Sequence, residues 1–228
     1  MGKFIVIEGT DCSGKETQTS LLVQTLRKMG RKIERLSFPA YDTPTGKIVG
    51  GPYLGKEYIG KGFFEEGAAA VDPKVAALYY AADRRYNRDK ILDLINEGID
   101  VVLDRYVESN MGHQGGKIFD KEERLKLYED LANLEYGFLE LPKPDLIIFL
   151  YVPYQKVAEL RNGRTSEAPD QHESNPIHIR NAEHAYLELA EIHNYKKIEC
   201  VDKKGKIRDI EDIQKDVLEI AKKELEIE

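Results

Sequence analysis

The chain has only two cysteines in 228 residues, Cys12 and Cys200. That scarcity excludes a disulfide framework and any cysteine-based metal spacing, and agrees with a reducing compartment. Long apolar runs are also missing; the longest are strand-sized, which excludes a membrane-spanning helix. Positive charge is in deficit, with 34 Lys and Arg against 41 Asp and Glu for a formal charge of −7. Such a balance argues against a general binder of polynucleotides or anionic membranes, while leaving room for a local basic pocket that holds phosphates. There is no flexible linker, internal repeat or low-complexity tract, and 41% hydrophobic composition over this length can bury a full core. One domain over residues 1–228 is therefore expected. No charged leader with a long apolar segment stands at the N-terminus, which enters a strand at once, so a cytosolic protein is expected.

What the chain does have is concentrated in Gly9, Thr10, Asp11, Cys12, Ser13, Gly14, Lys15, Glu16, Thr17 and Gln18. Gly9 through Lys15 meets the template G-x-x-x-x-G-K, in which glycines let backbone N–H groups turn toward phosphate oxygens and the lysine reaches the terminal phosphates. The context supports the match. Phe4 to Ile7 is a short apolar, β-branched run, and the segment after the loop has apolar residues at Leu21, Leu22, Leu26 and Met29 before Gly30. Strand, glycine-rich loop and helix in that order place the loop amides and the positive end of a helix dipole at one point. A nucleoside triphosphate is the expected ligand. One member is out of place: Glu16 stands where a magnesium-binding hydroxyl is expected.

Further strands are expected at residues 32–37, 100–104, 145–152 and 198–201. Helices are expected at 73–96, 121–138, 153–162, 177–193 and 210–225. The alternation implies an α/β fold with a parallel sheet wrapped by helices, and ligands in such sheets sit beyond the carboxyl ends of the strands. Asp104-Arg105-Tyr106 follows the apolar run Val101 to Leu103 and falls at that edge. The aspartate suits Mg²⁺ and the arginine suits phosphate oxygens; the lesser alternative, for the dipeptide taken alone, is a surface salt bridge. Tyr80 and Arg84 lie four residues apart and so share a helix face. They could stack a base and hold its phosphate, or be a core aromatic beside a solvated arginine.

The ordered set resembles the thymidylate kinase family of P-loop nucleoside monophosphate kinases. The likeness rests on Gly9 and Asp11, Phe38-Pro39 with Thr45-Gly46-Lys47 and Tyr53-Leu54 after it, the helix carrying Arg84, Asp104-Arg105-Tyr106, and Ser109-Asn110 with Gln114-Gly115. It implies a P-loop kinase fold with a five-stranded parallel sheet and a lid at about residues 161–175, ATP as co-substrate with Mg²⁺, dTMP as acceptor, and a homodimer built from helix faces. By resemblance Asp11 contacts the sugar 3′-hydroxyl, Phe38 and Pro39 border the acceptor, and Tyr80 stacks on thymine. Arg84 and Arg105 hold the acceptor phosphate, and Ser109, Asn110 and Gln114 flank the base. His113 stands where a tyrosine or phenylalanine beside the sugar is usual. Members carry the catalytic arginine either in the phosphate loop after the aspartate or in the lid; Cys12 at the loop position sends that role to Arg161 or Arg164.

Two departures qualify the likeness. Ala40 and Tyr41 stand where members often place an arginine near Phe-Pro, so Arg84 is expected to carry more of the acceptor phosphate. Glu16 leaves the metal to Asp104, with Thr17 as a second candidate one residue, about 100°, further round the helix. The expected activity is transfer of the ATP γ-phosphoryl group to dTMP, with Lys15, Asp104 and Arg105 joining the lid arginines in catalysis. Alternatives are another small-nucleotide or deoxynucleoside kinase, or a nucleotide-binding module without turnover.

Overall fold

The computed structural model describes residues 1–10, 12–162 and 175–227. Five strands form one wholly parallel sheet in the order β2-β3-β1-β4-β5. They are β1 (Phe4–Gly9), β2 (Ile33–Ser37), β3 (Asp100–Asp104), β4 (Leu146–Tyr151) and β5 (Lys196–Glu199). The central strands β1 and β3 are buried along their whole length, as expected where helices cover both faces of a parallel sheet.

The pleat divides these strands between two cores. Phe4, Val6, Val101, Leu103 and Phe149 face one side. There they meet α3 (Pro73–Asn96), α4 (Val107–Gly115), α5 (Lys121–Ala132) and α7 (Pro176–Ile192) through Ile91, Met111, Leu127, Leu131 and Leu189. Ile5, Ile7, Val102, Ile148 and Leu150 face the other side. They pack on α1 (Lys15–Lys28) and α8 (Ile210–Glu224), whose Leu22, Leu26, Ile213 and Val217 are buried at spacings of four. Each such side chain contributes about 1.5–3 kcal/mol relative to exposure. A satellite core of Val49, Tyr53, Leu54, Ala68, Val71 and Ala76 lies under the long connection to α3.

Several elements differ from the sequence expectation. β5 runs over Lys196–Glu199 rather than 198–201, because backbone pairing with β4 decides an edge strand whose side chains are mostly exposed. The expected helix over 121–138 is α5 followed by a widened stretch, Asn133–Phe138, whose i→i+5 geometry is closed by Leu139 N–H donating to the Leu134 carbonyl at 2.8 Å. That widening turns Glu135 fully into the core. Unexpected helices are α2 (Pro44–Ile48) and α4. The latter is rich in glycine and polar residues, and packing overrides its weak propensity. A Cβ at Gly112 would come within 2.7 Å of the Tyr186 ring, so the α4–α7 contact depends on glycine there. α6 (Tyr154–Asn162) leads to the expected lid, and residues 163–174 lie outside the described residues.

Candidate active site

The loop between β1 and α1 is shaped by backbone requirements. Cys12 and Gly14 both adopt left-handed conformations, with φ of 60° and 82°. A Cβ at Gly9 would stand 2.4 Å from Ser13 Oγ and 2.6 Å from the Leu150 carbonyl oxygen, so the loop closes only with glycine there. Thr10 Oγ1 donates to the Val152 carbonyl at 2.9 Å, tying the loop to the end of β4. The Lys15 ammonium, almost fully buried, donates to the carbonyls of Gly9 (3.1 Å) and Thr10 (2.8 Å) and so lies across the loop at the start of α1. Glu16 and Thr17 are exposed on the first turn. Asp11, expected at the acceptor sugar, lies outside the described residues.

Asp104 ends β3 beside this loop. Burial pushes its pKa up, and the charges of Lys15, Arg105 and Arg35 oppose that shift. Arg105 has φ of 67°, an uncommon value for a residue other than glycine, while its N–H donates to the Ile7 carbonyl at 3.1 Å. Strain of this kind persists where the surroundings over-determine it. The surroundings here include Glu8, fully buried, whose Oε1 accepts from the N–H groups of Tyr106 (2.8 Å) and Ser109 (3.0 Å) and whose Oε2 accepts from Ser109 Oγ (2.7 Å). Glu8 was not among the expected residues, although a carboxylate inside an apolar strand was a signal that could have found it. Burial raises its pKa against the pull of Arg105.

Arg105 Nη1 stands 3.5 Å from Ser109 Oγ and 3.4 Å from His113 Nε2, and His113 Nδ1 is 3.1 Å from His178 Nε2 in a stacked pair. A guanidinium only donates. His113 Nε2 therefore faces a donor, and its Nδ1 faces His178 Nε2.

Two residues expected at the acceptor are held by protein partners. Arg84, expected at the acceptor phosphate, points its guanidinium into the core. It is 2% exposed, its Nε and Nη2 are taken by the buried Glu135 carboxylate, and Nη1 donates to the Tyr106 carbonyl at 3.3 Å. The inward turn of Glu135 was invisible in a sequence read as regular helix. Phe38 likewise lies in the core against Tyr106, at 6.1 Å between ring centroids, leaving half-buried Pro39 at the border. Tyr80 is half-buried, with its ring edge-on to Tyr53 at 5.6 Å. Ser109, Asn110 and Gln114 are all buried on α4. Asn110 Nδ2 donates to Glu135 Oε1 (2.9 Å), while Asn110 Oδ1 and both polar atoms of the Gln114 amide lack partners among the described residues. Asp83, also unexpected, accepts from Ala40 N–H (2.8 Å) and Thr45 Oγ1 (2.8 Å) and so fixes the loop after Phe38-Pro39.

A phosphate loop at the centre of a parallel sheet, beside a strand-end Asp-Arg pair, defines a P-loop nucleotide kinase. The family model for thymidylate kinase matches residues 7–213, and the chain belongs to the thymidylate kinase family. A probable thymidylate kinase of Thermococcus gammatolerans is 30% identical over 229 residues, covering 99% of this chain and 98% of that protein. The thymidylate kinase of Schizosaccharomyces pombe is 35% identical over 151 residues. That match covers 66% of this chain and 61% of the yeast protein, so the shared region is less than two thirds of that relative. The solved thymidylate kinase of Candida albicans superimposes with a TM-score of 0.71 at 26% identity, covering 97% of this chain and 92% of that one.

Proposed function

We propose that this chain transfers the γ-phosphoryl group of ATP to the phosphate of dTMP, giving ADP and dTDP. The observation that carries the reading is the meeting of Lys15 and its loop with Asp104 and Arg105 at the carboxyl ends of β1 and β3. Loop amides and Lys15 would bind the ATP phosphates, exchanging the lysine's present carbonyl partners for phosphate oxygens. Arg105, oriented by Ser109 and His113, would hold the acceptor phosphate. That phosphate has a second pKa near 6, so it arrives mostly as a dianion and needs no strong base; alignment and charge neutralisation suffice. The unpartnered polar atoms of Asn110 and Gln114 suit the polar edge of a base, and Tyr80 offers a ring beside it.

Asp104 Oδ1 is buried without a partner among the described residues, and a carboxylate of this kind fits a hard divalent cation. Mg²⁺ held there would neutralise charge on the transferring group. The transition-state arginine is assigned to Arg161 or Arg164, since Cys12 leaves the loop without one; both side chains lie outside the described residues. The same reading takes residues 1–228 as one catalytic domain in the cytoplasm. Among the described residues no helix is long and apolar enough to cross a membrane. A homodimer is supported by α3, where Val75, Leu78 and Tyr86 are exposed on one face.

Steady-state assays with ATP and a panel of dTMP, dUMP, dGMP and thymidine test the proposal. ADP release should depend on dTMP. Release independent of any acceptor, or faster with thymidine than with dTMP, would overturn it.

A further inference from the structure

Glu16 remains unexplained by the phosphate-loop template. In the fold it begins α1, with its side chain 80% exposed, and its Oε1 lies 3.7 Å from Arg35 Nη2. The same nitrogen lies 3.9 Å from Asp104 Oδ2. Arg35 comes from β2, two residues before Ser37, which is in register with Asp104. One guanidinium therefore stands between the residue that replaces the loop hydroxyl and the buried aspartate that ends β3. Two further observations show that this junction has bonding capacity to spare. Asp104 is 8% exposed and its Oδ1 has no partner, and Arg35 Nε is buried without one among the described residues.

A carboxylate in the hydroxyl's place would repel a polyphosphate, and it would be tolerated only if something offsets its charge. Arg35 is placed to do so. A carboxylate is also a stronger ligand for a hard cation than a hydroxyl is.

We propose that Glu16 and Arg35 act as one unit in place of the missing hydroxyl. Glu16 joins Asp104 in binding the divalent cation that accompanies the nucleotide, and Arg35 keeps the added carboxylate from repelling the phosphates. This rests on the reading of the site as a metal-dependent nucleotide kinase, and it makes the two residues interdependent.

Calorimetric titration of the whole protein with ATP, with and without Mg²⁺, measures how much the metal strengthens binding. Glu16→Thr should reduce that enhancement at least tenfold while improving metal-free ATP binding. Arg35→Leu should weaken ATP binding about tenfold or more in both conditions, and Arg35→Lys should recover much of the loss. In the double variant Glu16→Thr with Arg35→Leu, metal-free affinity should stay within about threefold of that of Glu16→Thr alone, because Arg35 then has no carboxylate to offset. Mn²⁺ in place of Mg²⁺, followed by its electron paramagnetic resonance signal, reads the bound metal directly and should show weaker binding in Glu16→Thr. An unchanged metal enhancement in Glu16→Thr, or strictly additive effects of the two substitutions, would overturn the pairing while leaving the kinase reading intact. Failure of the unsubstituted protein to bind ATP at all would overturn both.

Discussion

The proposed donor side and the proposed acceptor wall of this site are built by opposite means. The donor side is one contiguous stretch in which left-handed Cys12 and Gly14, the start of α1 and the folded-over Lys15 form the cradle. The acceptor wall is gathered from α3, α4, the widened stretch after α5 and α7, and is held by buried polar pairs such as Arg84 with Glu135 and Ser109 with Glu8. A cradle made of backbone tolerates unusual side chains, which is how Cys12 and Glu16 can stand in it. A wall made of buried polar side chains does not, because losing one member strands a charge or a donor in the core.

If the donor side binds phosphates through backbone and Lys15 alone, its transition-state cation has to arrive from elsewhere in the chain. Replacing Arg161 and Arg164 together with alanine should lower the turnover rate by roughly 10³- to 10⁵-fold, with little change in the apparent affinity for dTMP. Steady-state kinetics that showed a loss of affinity and an intact turnover rate would place these arginines in binding instead, and the division of labour would fail. The wall should respond differently, through stability. Glu135→Ala leaves the Arg84 guanidinium buried and uncompensated and should cost about 3–5 kcal/mol in urea unfolding, whereas Arg84→Met with Glu135→Leu should recover most of it. The double variant also asks whether Arg84 has any second duty: a dTMP affinity equal to that of the unsubstituted protein would make it purely a core residue.

The same contrast explains what could be read from the sequence. The loop was legible because its requirements are local: glycines where a side chain would collide, a lysine at fixed spacing, a strand before and a helix after. Asp104 and Arg105 were legible because an apolar run ended on them. The pairing of Arg84 was not legible, since its partner Glu135 lies 51 residues away and enters the core only where α5 widens. Helix α4 was missed for a related reason. Its Gly112 fits against Tyr186, its Asn110 against Glu135 and its Ser109 N–H against the Glu8 carboxylate, none of which local spacing reveals.

Glu108 tests the wall's tolerance by pH. It is almost fully buried on α4, Tyr136 OH donates to its Oε1 at 2.6 Å, and its Oε2 has no partner among the described residues. Burial, reinforced by the Glu8 charge, pushes its pKa from 4.5 up to about 7. The folded state thus holds this proton more tightly than the unfolded chain. Its contribution to stability is intact below pH 4.5, is eroded as pH rises toward 7, and is fully lost above that. Glu108→Gln keeps an acceptor for Tyr136 and removes the charge, so the variant should be more stable by about 2 kcal/mol at pH 8 after allowing for its unpartnered amide. Near pH 5 the advantage should vanish or reverse. Equal differences at both pH values in urea unfolding would show that Glu108 carries its charge without cost.

Tyr80 is where wall and ligand are expected to meet, and it should give the smallest effect. Its ring is held edge-on by Tyr53, which Lys117 Nζ approaches at 3.5 Å while bonding the carbonyls of Ala68 (3.1 Å) and Val71 (2.9 Å). The ring is therefore presented by the satellite core rather than by α3 alone. If Tyr80 acts as a stacking surface, Tyr80→Phe should leave the dTMP affinity unchanged and Tyr80→Ala should weaken it by about 1 kcal/mol, roughly fivefold. Tyr53→Leu should reproduce part of that loss without touching the acceptor, because it frees the ring to leave its orientation. An affinity that falls in Tyr80→Phe would point to the hydroxyl as the recognising group. No loss in Tyr53→Leu would mean that α3 positions the ring by itself.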